Sequence, residues 1–303
     1  MIDFTNCKVL HNKAYSGANG KKISIEYEGK KYMLKFSPYA KDMTTNLSYT
    51  NSCYSEHIGS SIFNILGVQA QETILGIYVV GNQKKVVCAC LDFTVDDKQL
   101  YDFCAIKNTV IDSAHGGTST DLDDIMDTIQ NQTFIDASLL SRHFWDMFVV
   151  DAFLGNFDRH NGNWGFLVDA KTGETTIAPI FDCGSCLLPQ ADDDILTQIL
   201  ANEDELNARI FTFPTSAIRQ YGMKLNYYDF LTSTKIKDCY DSVNRIVSRI
   251  DLEQINEFID NIDGINSLHK KFYKYYLEAR YNNILVPAYE ISMAKDGDTF
   301  LGR

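Results

Sequence analysis

The sequence lacks any apolar run of the roughly 18 residues that a membrane-spanning helix needs. Its first residues, MIDFTNCKVLHNKAYSG, contain no basic stretch followed by an apolar one, so they do not resemble a cleaved signal peptide. Eight cysteines in 303 residues are too few for a disulfide-stabilised scaffold. These absences predict a cytoplasmic protein with reduced thiols, although export by a route without a cleaved signal leaves no such trace.

The chain is also short of positive charge. It has 28 Lys and Arg against 40 Asp and Glu, which gives a net charge of −12. An acidic surface repels the phosphates of nucleic acids and the headgroups of anionic lipids. We therefore expect no direct binding to nucleic acid or to membranes. The charge remains compatible with an enzyme that acts on small molecules and with a protein that acts on basic partners.

Strand-like patterns dominate the N-terminal third. KKISIEYEGKKYMLKFS (21–37) alternates apolar and polar side chains on both sides of a turn at Glu28-Gly29-Lys30, which predicts a β-hairpin. YSEHIGSSIFNILG (54–67) has apolar residues at helical spacing and ends in glycine. ETILGIYVVGNQKKVVCACLDF (72–93) contains two more β-rich runs, joined across a Gly-Asn pair.

Helical patterns dominate from residue 134 onward, beginning with a long apolar helix that is predicted to stop at Gly155. A β-rich front and a helical back indicate an α+β protein with two unequal lobes and a cleft between them. We place the N-lobe at residues 1–92 and the C-lobe at residues 93–303.

The densest group of polar side chains lies in LGNFDRHNGNWGFLVD (154–169). Such side chains are costly to bury unless each has a partner, so the stretch is either an exposed turn or a site. Two apolar runs follow it, separated by the turn DAKTG, and the second run leads into DCGS. This hairpin would bring Asp158 and Asn163, at its entrance, close to Asp182, at its exit.

Two carboxylates and an amide oxygen that converge are suitable ligands for Mg²⁺ when phosphate oxygens complete the set. The layout is that of a phosphoryl-transfer site. In protein kinases an Asp accepts the proton of the substrate hydroxyl, and an Asn five residues later and a second Asp beyond a hairpin hold the metal ions. The corresponding residues predict Asp158 as the catalytic base and Asn163 and Asp182 as metal ligands.

The N-terminal third supplies candidates for the phosphate-binding groups. Lys35 ends an apolar strand from which a lysine reaches the α- and β-phosphates, and Glu56, at the start of the helix, is expected to pair with it. The loop YSGANGKK (15–22) precedes the hairpin, and its backbone amides can approach phosphates closely. The loop residues predicted to contact the nucleotide are Gly17, Asn19, Gly20 and Lys21.

CACLDF (88–93) lies where the strands give way to the helical part. Backbone groups of Leu91 are predicted to hold adenine there, and Asp92 is predicted to bind the ribose. His160 is a further candidate for a nucleotide contact, with a hydrogen bond inside its own loop as the alternative.

Each of these features also has a plainer interpretation. NFDRHNGN is compatible with a solvated turn, Lys35 with a surface lysine, and Glu56 with a helix start favoured by the helix dipole. The spacing of CGSC suits zinc or redox chemistry, but structural zinc needs four ligands, and buried thiols explain these cysteines better. The kinase interpretation rests on the whole set occurring in the right order.

The segments GNFDRHNGNWGFLVD, APIFDCGS, YMLKFS and SEHIGSSIFNILG resemble the HipA-like serine/threonine kinase family, in particular its compact CtkA-type members. The resemblance implies a protein-kinase-like fold, ATP and Mg²⁺ as cofactors, and transfer of the γ-phosphate to Ser or Thr of a protein, including the chain itself. Two departures from protein kinases are visible. The segment after Asp182 has no APE motif, and Asn156 stands where those enzymes often have His.

Two other functions stay open at this point. A small-molecule kinase uses the same Asp, Asn and Asp arrangement, and the acidic surface suits a cationic small substrate as well as a basic protein. A non-catalytic nucleotide-binding partner, as in a toxin–antitoxin pair, is the second alternative.

Overall fold

The computed structural model of the chain describes residues 1–11, 21–37, 51–110 and 116–300. Six strands form its first sheet: β1 (Ile2–Asp3), β2 (Lys8–Val9), β3 (Lys22–Tyr27), β4 (Lys30–Phe36), β5 (Thr73–Val80) and β6 (Gln83–Leu91). Their order across the sheet is β1-β5-β6-β4-β3-β2, and every neighbouring pair is antiparallel except β1–β5.

Both predicted hairpins of this sheet are confirmed. β3 and β4 are joined by Glu28 and Gly29, which both have positive φ (47° and 73°), as the tightest hairpin turns require. β5 and β6 are joined across Gly81 and Asn82, with Gly81 at a φ of 61°.

The two faces of the sheet carry different side chains. A small apolar cluster that includes Ile25, Leu34 and Phe36 packs on one face. Cys88 and Cys90 of β6, which lie opposite Lys35 and Met33 of β4, belong to a larger cluster that continues through helix α1 (Ser52–Ile65) into the C-terminal helices. The helix begins earlier than the sequence indicated, so Glu56 lies in its second turn instead of at its start.

The C-terminal part is mainly helical. Its helices are α2 (Phe103–Val110), α3 (Leu122–Asn131), α4 (Ala137–Leu154), α5 (Asp193–Ala201), α6 (Glu203–Asn207), α7 (Tyr227–Ser233), α8 (Lys237–Val247), α9 (Leu252–Asp260), α10 (Ser267–Arg280) and α11 (Val286–Phe300). Short 3₁₀ or π segments lie at Gly116–Thr118, Ala208–Thr212 and Tyr281–Leu285. No helix in the described ranges is both long and apolar enough to cross a bilayer.

Five short strands lie among the described residues of the C-terminal part. β7 (Lys98–Asp102), β8 (Gly165–Asp169) and β9 (Thr175–Ile177) form an antiparallel sheet, and β10 (Arg219–Gln220) pairs with β11 (Met223–Lys224). The hairpin predicted after residue 163 is confirmed as β8–β9, although β9 is only three residues long. The α+β class, with strands in front and helices behind, is confirmed, whereas the lobe boundary at residue 92 stays a prediction.

Helix α4 is the centre of the larger core, since all but a few of its side chains after Leu140 are buried. Asp136 caps its N-terminus by accepting a hydrogen bond from Leu139 N. The helix ends at Gly155 in the left-handed region (φ 65°), as predicted. A Cβ at Gly155 would lie 2.3 Å from the hydroxyl of Tyr276 and 2.9 Å from Pro214, so glycine is needed here for space as well as for backbone conformation.

We expect Gly155→Ala to destabilise the fold more than Gly81→Ala does. Both glycines have positive φ, which costs an alanine about 1 kcal/mol, but a Cβ at Gly81 would meet no atom within 4 Å. The clash at Gly155 should add about 1–3 kcal/mol. Urea denaturation of both variants measures the difference, and equal losses would show that backbone strain alone fixes Gly155.

Candidate active site

The loop that follows α4 is built on one buried ion pair. Asp151, in the last turn of α4, is 1% exposed, and Arg159 is 2% exposed. Arg159 Nε donates to Asp151 Oδ2 at 2.9 Å and its Nη2 donates to Oδ1 at 3.2 Å. Burial alone would lower the pKa of Arg159, but the neighbouring carboxylate reverses the effect and raises it well above its usual range. Burial raises the pKa of Asp151, and the charge of Arg159 opposes that shift. The two parallel hydrogen bonds are the geometry of a charge-assisted pair.

The same guanidinium ties the loop to the segment after β9. Arg159 Nη1 donates to the backbone oxygen of Asn163 at 2.9 Å and also to that of Phe181. Nη2 lies 3.5 Å from the thiol of Cys183. Because Phe181 and Cys183 flank Asp182, one buried cation contacts the backbone before the predicted metal-binding carboxylate and the side chain after it.

Asn156 connects the ion pair to Asp158. Its amide nitrogen donates to Asp151 Oδ1 at 2.8 Å, and its amide oxygen accepts from Asp158 N at 3.0 Å. The hydroxyl of Tyr227 donates to the backbone oxygen of Asn156. Asn156, which stands where protein kinases often have His, thus positions the loop by joining Asp151 to the backbone of Asp158.

Asp158 and Asn163 lie close together, as the sequence predicted. The amide nitrogen of Asn163 donates to the backbone oxygen of Asp158 at 2.9 Å, which directs its amide oxygen elsewhere. The Asp158 carboxylate accepts no hydrogen bond from any residue that the structure describes. Burial is the main cause that raises the pKa of Asp158; the nearby charge of Asp182 adds to the shift, and His160 opposes it.

Lys35 joins the sheet, helix α1 and the β8–β9 hairpin. Its ammonium donates to Asp182 Oδ1 at 2.9 Å and lies 2.9 Å from Glu56 Oε2, so the expected ion pair with Glu56 is present. Glu56 is 1% exposed and its Oε1 has no partner in the described part of the chain. A Cβ at Gly184 would lie 3.2 Å from Glu56 Oε2, so glycine keeps this approach open.

Asp182 differs from Glu56 in its backbone conformation and in the exposed fraction of its side chain. Its φ is 59°, a conformation that is unfavourable for a residue with a Cβ and that concentrates at functional sites. Its side chain is 44% exposed. The charge of Lys35 lowers the pKa of Asp182 to about 2, so this carboxylate is ionised at neutral pH.

The predicted adenine-binding segment is partly occupied by the protein itself. Leu91 N donates to Glu72 O at 2.8 Å, and Leu91 O accepts from the side chain of Gln71 at 2.8 Å. Asp92 Oδ1 accepts from both the backbone nitrogen and the hydroxyl of Thr94. The backbone of Phe93 has no hydrogen bond within the described residues.

The remaining predicted nucleotide contacts have three different outcomes. Gly17, Asn19 and Gly20 lie outside the described residues. His160 Nδ1 accepts from Gly162 N at 3.0 Å, which is the loop hydrogen bond named as its alternative. Lys21 lies away from the Lys35 cluster, with its ammonium 5.5 Å from the ring centroid of Phe36 on the other face of the sheet.

Asp151 and Arg159 were not singled out from the sequence. An arginine among polar sequence neighbours is usually exposed, so the residues next to Arg159 in the sequence gave no sign that it is buried. The available signal was the single carboxylate in the otherwise apolar stretch MFVVDAFLG, which requires a cationic or hydrogen-bonding partner inside the core.

We expect Asp151→Ala to reduce the free energy of unfolding by about 3–5 kcal/mol, because it leaves the Arg159 charge buried without its partner. Asp241→Ala is the matched control, since Asp241 pairs with Lys237 on the exposed surface of α8 and its loss should cost less than about 0.5 kcal/mol. Urea denaturation compares the two variants. Similar small losses would show that water reaches the Asp151–Arg159 pair.

Comparison with known proteins agrees with this geometry. The profile of the family described as HipA-like C-terminal domain matches residues 13–259. The chain is 49% identical over 286 residues to the serine/threonine-protein kinase CtkA of Helicobacter pylori. The aligned residues cover 94% of this chain and 86% of that protein.

Solved structures show the same relationship. The crystal structure of a Helicobacter pylori proinflammatory kinase CtkA matches with a TM-score of 0.90 and 47% identity, over 96% of this chain and 98% of the other. HipA of Shewanella oneidensis, in a toxin–antitoxin complex with HipB and operator DNA, matches with a TM-score of 0.55 and 15% identity, over 92% of this chain and 68% of the other. The latter likeness is one of fold alone. The chain belongs to the family of HipA-like C-terminal domains and is a phosphotransferase of the serine/threonine-kinase type.

Proposed function

We propose that the protein is a Mg²⁺- and ATP-dependent kinase that transfers the γ-phosphate to serine or threonine hydroxyls of proteins, including its own. The observation that carries this proposal is the position of the Lys35 ammonium, 2.9 Å from both Glu56 and Asp182. A lysine held between a helix carboxylate and a metal-binding carboxylate is the arrangement that phosphoryl transfer by protein kinases uses.

Asn163 and Asp182 are the residues that would hold Mg²⁺. An amide oxygen and an ionised carboxylate fit this ion, which prefers oxygen ligands and takes few of them from the protein. When bound, the ion neutralises charge on the phosphates. The groups of three or more His, Cys, Asp or Glu that a protein-only metal site needs are absent from the described residues, which agrees with a site that the nucleotide completes.

Asp158 would orient the acceptor hydroxyl and accept its proton. Its carboxylate is free of hydrogen bonds in the described part of the chain, while its backbone is held on both sides by Asn156 and Asn163. A raised pKa, caused mainly by burial, brings a carboxylate closer to the basicity that a general base needs.

Lys35 would bind the phosphates, and its contact with buried Glu56 restricts where the ammonium can go. The adenine would lie against residues 91–93. The carbonyl oxygen of Leu91 keeps a second lone pair for this purpose, and Phe93 offers an unused backbone N–H among the described residues. Asp92 would reach the ribose with its carboxylate.

A protein acceptor is favoured over a small molecule by the relationship to a serine/threonine-protein kinase at 49% identity. A non-catalytic role is disfavoured by the complete set of charged groups around Lys35. The net charge of −12 disfavours direct contact with DNA and suits a basic substrate.

We expect Asp158→Asn and Asp182→Asn to separate catalysis from nucleotide binding. Asp158→Asn should keep the affinity for Mg-ATP near that of the wild type while the rate of phosphoryl transfer falls by about 10²–10⁴, since only the general base is lost. Asp182→Asn should weaken Mg-ATP binding as well as turnover. Calorimetry with Mg-ATP and the rate of label transfer from ATP to protein give the two quantities for each variant.

Glu174→Gln is the control, because Glu174 is exposed at the distal turn of the same β8–β9 hairpin. Wild-type turnover in both Asp variants would mean that the hairpin is not the active site. Loss of Mg-ATP binding in Asp158→Asn alone would mean that Asp158 binds the metal ion and Asp182 acts as the base. Phosphoryl transfer would remain the reaction.

A further inference from the structure

The short hairpin β10–β11 lies beside the loop that carries Asp158. The segment that leads into the hairpin contacts this loop, since the ring centroids of Phe213 and Phe157 are 5.5 Å apart. The segment that leaves the hairpin contacts it too, because the hydroxyl of Tyr227 donates to the backbone oxygen of Asn156. Both ends of the hairpin are therefore held next to the proposed catalytic base.

Hydrogen bonds at its base also fix the hairpin to the rest of the fold. Leu225 N donates to Ile218 O, and Ser216 N donates to Leu225 O, both at 2.9 Å. Arg219 N donates to Thr120 O at 2.8 Å, which joins β10 to the residue before the N-cap of α3. A side chain on this hairpin therefore starts from a defined position relative to the active site.

Two cations share one face of the hairpin. Arg219 lies directly opposite Lys224, and opposed residues of an antiparallel pair project to the same face. Both are exposed, and neither forms an ion pair with a carboxylate of the described residues. Like charges directly opposite each other destabilise a strand pair. The stability of the fold therefore does not explain why both positions carry a positive charge.

The charge of Lys224 acts on the proposed base. Burial is the main cause that raises the pKa of Asp158, and the positive charge of Lys224 is among those that oppose the shift. A cation in this position attracts a carboxylate on the residues that flank a bound acceptor hydroxyl. The net charge of −12 does not prevent this, because salt screens charges over about 8 Å under physiological conditions and the nearest side chains dominate.

The tip of the hairpin carries an exposed aromatic side chain. Tyr221 is 83% exposed, more than any other large apolar side chain in the described part of the chain. It has a φ of 52°, and Gly222 follows with 79°. Two-residue hairpin turns favour Asn, Asp or Gly at such positions, and a bulky residue is strained there. A tyrosine that strains the turn and buries little of its own surface is better explained by contact with another molecule.

We propose that the β10–β11 hairpin binds the segment of the protein substrate that contains the acceptor serine or threonine, and that it selects an acidic residue close to that acceptor. This role rests on the function proposed above. Lys224 and Arg219 would pair with the acidic side chain, and Tyr221 would pack on an apolar side chain of the same segment. The partner is thus a polypeptide with local negative charge at its acceptor site, whatever its total charge.

The experiment measures phosphoryl transfer from Mg-ATP to synthetic peptides by the full chain. Each peptide contains one serine and carries Asp, Ala or Lys at one flanking position. For the wild type we expect at least one position at which Asp gives a kcat/KM about tenfold higher than Ala, the effect of one charge-assisted hydrogen bond. Lys224→Gln should abolish this ratio, and Lys224→Glu should reverse it in favour of Lys.

The ratio between two peptides within one variant isolates recognition from catalysis. A change in the basicity of Asp158 would alter transfer to both peptides equally and leave their ratio unchanged. Lys171→Glu is the matched control, because Lys171 is an exposed lysine at the distal turn of the β8–β9 hairpin, and the ratio should stay at the wild-type value.

Tyr221→Asn tests the aromatic contact separately. Asparagine suits the turn, so the melting temperature should be at or above that of the wild type. The KM for the preferred peptide should rise about fivefold, because the aromatic contact with the peptide is lost. A merely structural tyrosine would give a lower melting temperature and an unchanged KM.

Four results would overturn the inference while the proposed function stands. These are a wild type without preference for Asp at any position, a preference that survives in Lys224→Glu, an equal loss of preference in Lys171→Glu, and a wild type that labels itself but none of the peptides. A wild type that transfers no phosphate from Mg-ATP to any protein or peptide would be a failure of the proposed function, and the inference would fall with it.

Discussion

The buried ion pair between Asp151 and Arg159 is the contact on which the geometry of the site depends. Removing two charges from water is costly, and a buried pair seldom stabilises a fold more than apolar side chains would. Here the guanidinium also binds the backbone oxygens of Asn163 and Phe181. The same cation therefore positions the backbone near both groups proposed to hold the metal ion, and Asp151 anchors that cation on helix α4. The buried pair serves to position these groups more than to stabilise the fold.

The three charges at Lys35 are arranged unequally. Glu56 is buried and depends on Lys35 as its charged partner, whereas Asp182 is 44% exposed and has water available to it. Exchanging a partner is cheap for an exposed carboxylate and expensive for a buried one. Asp182 can thus turn toward a cation or a nucleotide while Glu56 keeps the lysine in place. The difference in burial, more than the equal distances, separates the fixed contact from the exchangeable one.

Local patterns were sufficient to predict the hairpins and the end of α4 at Gly155. They also predicted the contact of Lys35 with Glu56 and the closeness of Asp158 and Asn163. These features depend on alternation, glycine conformation and spacing, which are visible within short windows. Two features were not accessible in this way. Arg159 is buried because of a carboxylate on a different element, and Lys21, predicted to contact the nucleotide, lies over Phe36 on the other face of the sheet. Both are set by contacts between segments, which a single sequence does not display.

The degree of hydrogen bonding divides the site into scaffold and reacting groups. Arg159 and Asn156 use their donors and acceptors on other protein groups, which restricts them to one geometry. Asp158, in contrast, has a carboxylate without hydrogen bonds in the described part of the chain, and one oxygen of Asp182 is likewise unbound there. Polar groups left unsatisfied next to fully satisfied ones are held ready for a ligand, because the scaffold prevents them from relaxing onto each other. Chemistry at this site then needs little reorganisation of the protein, which is the condition under which charge stabilisation is most effective.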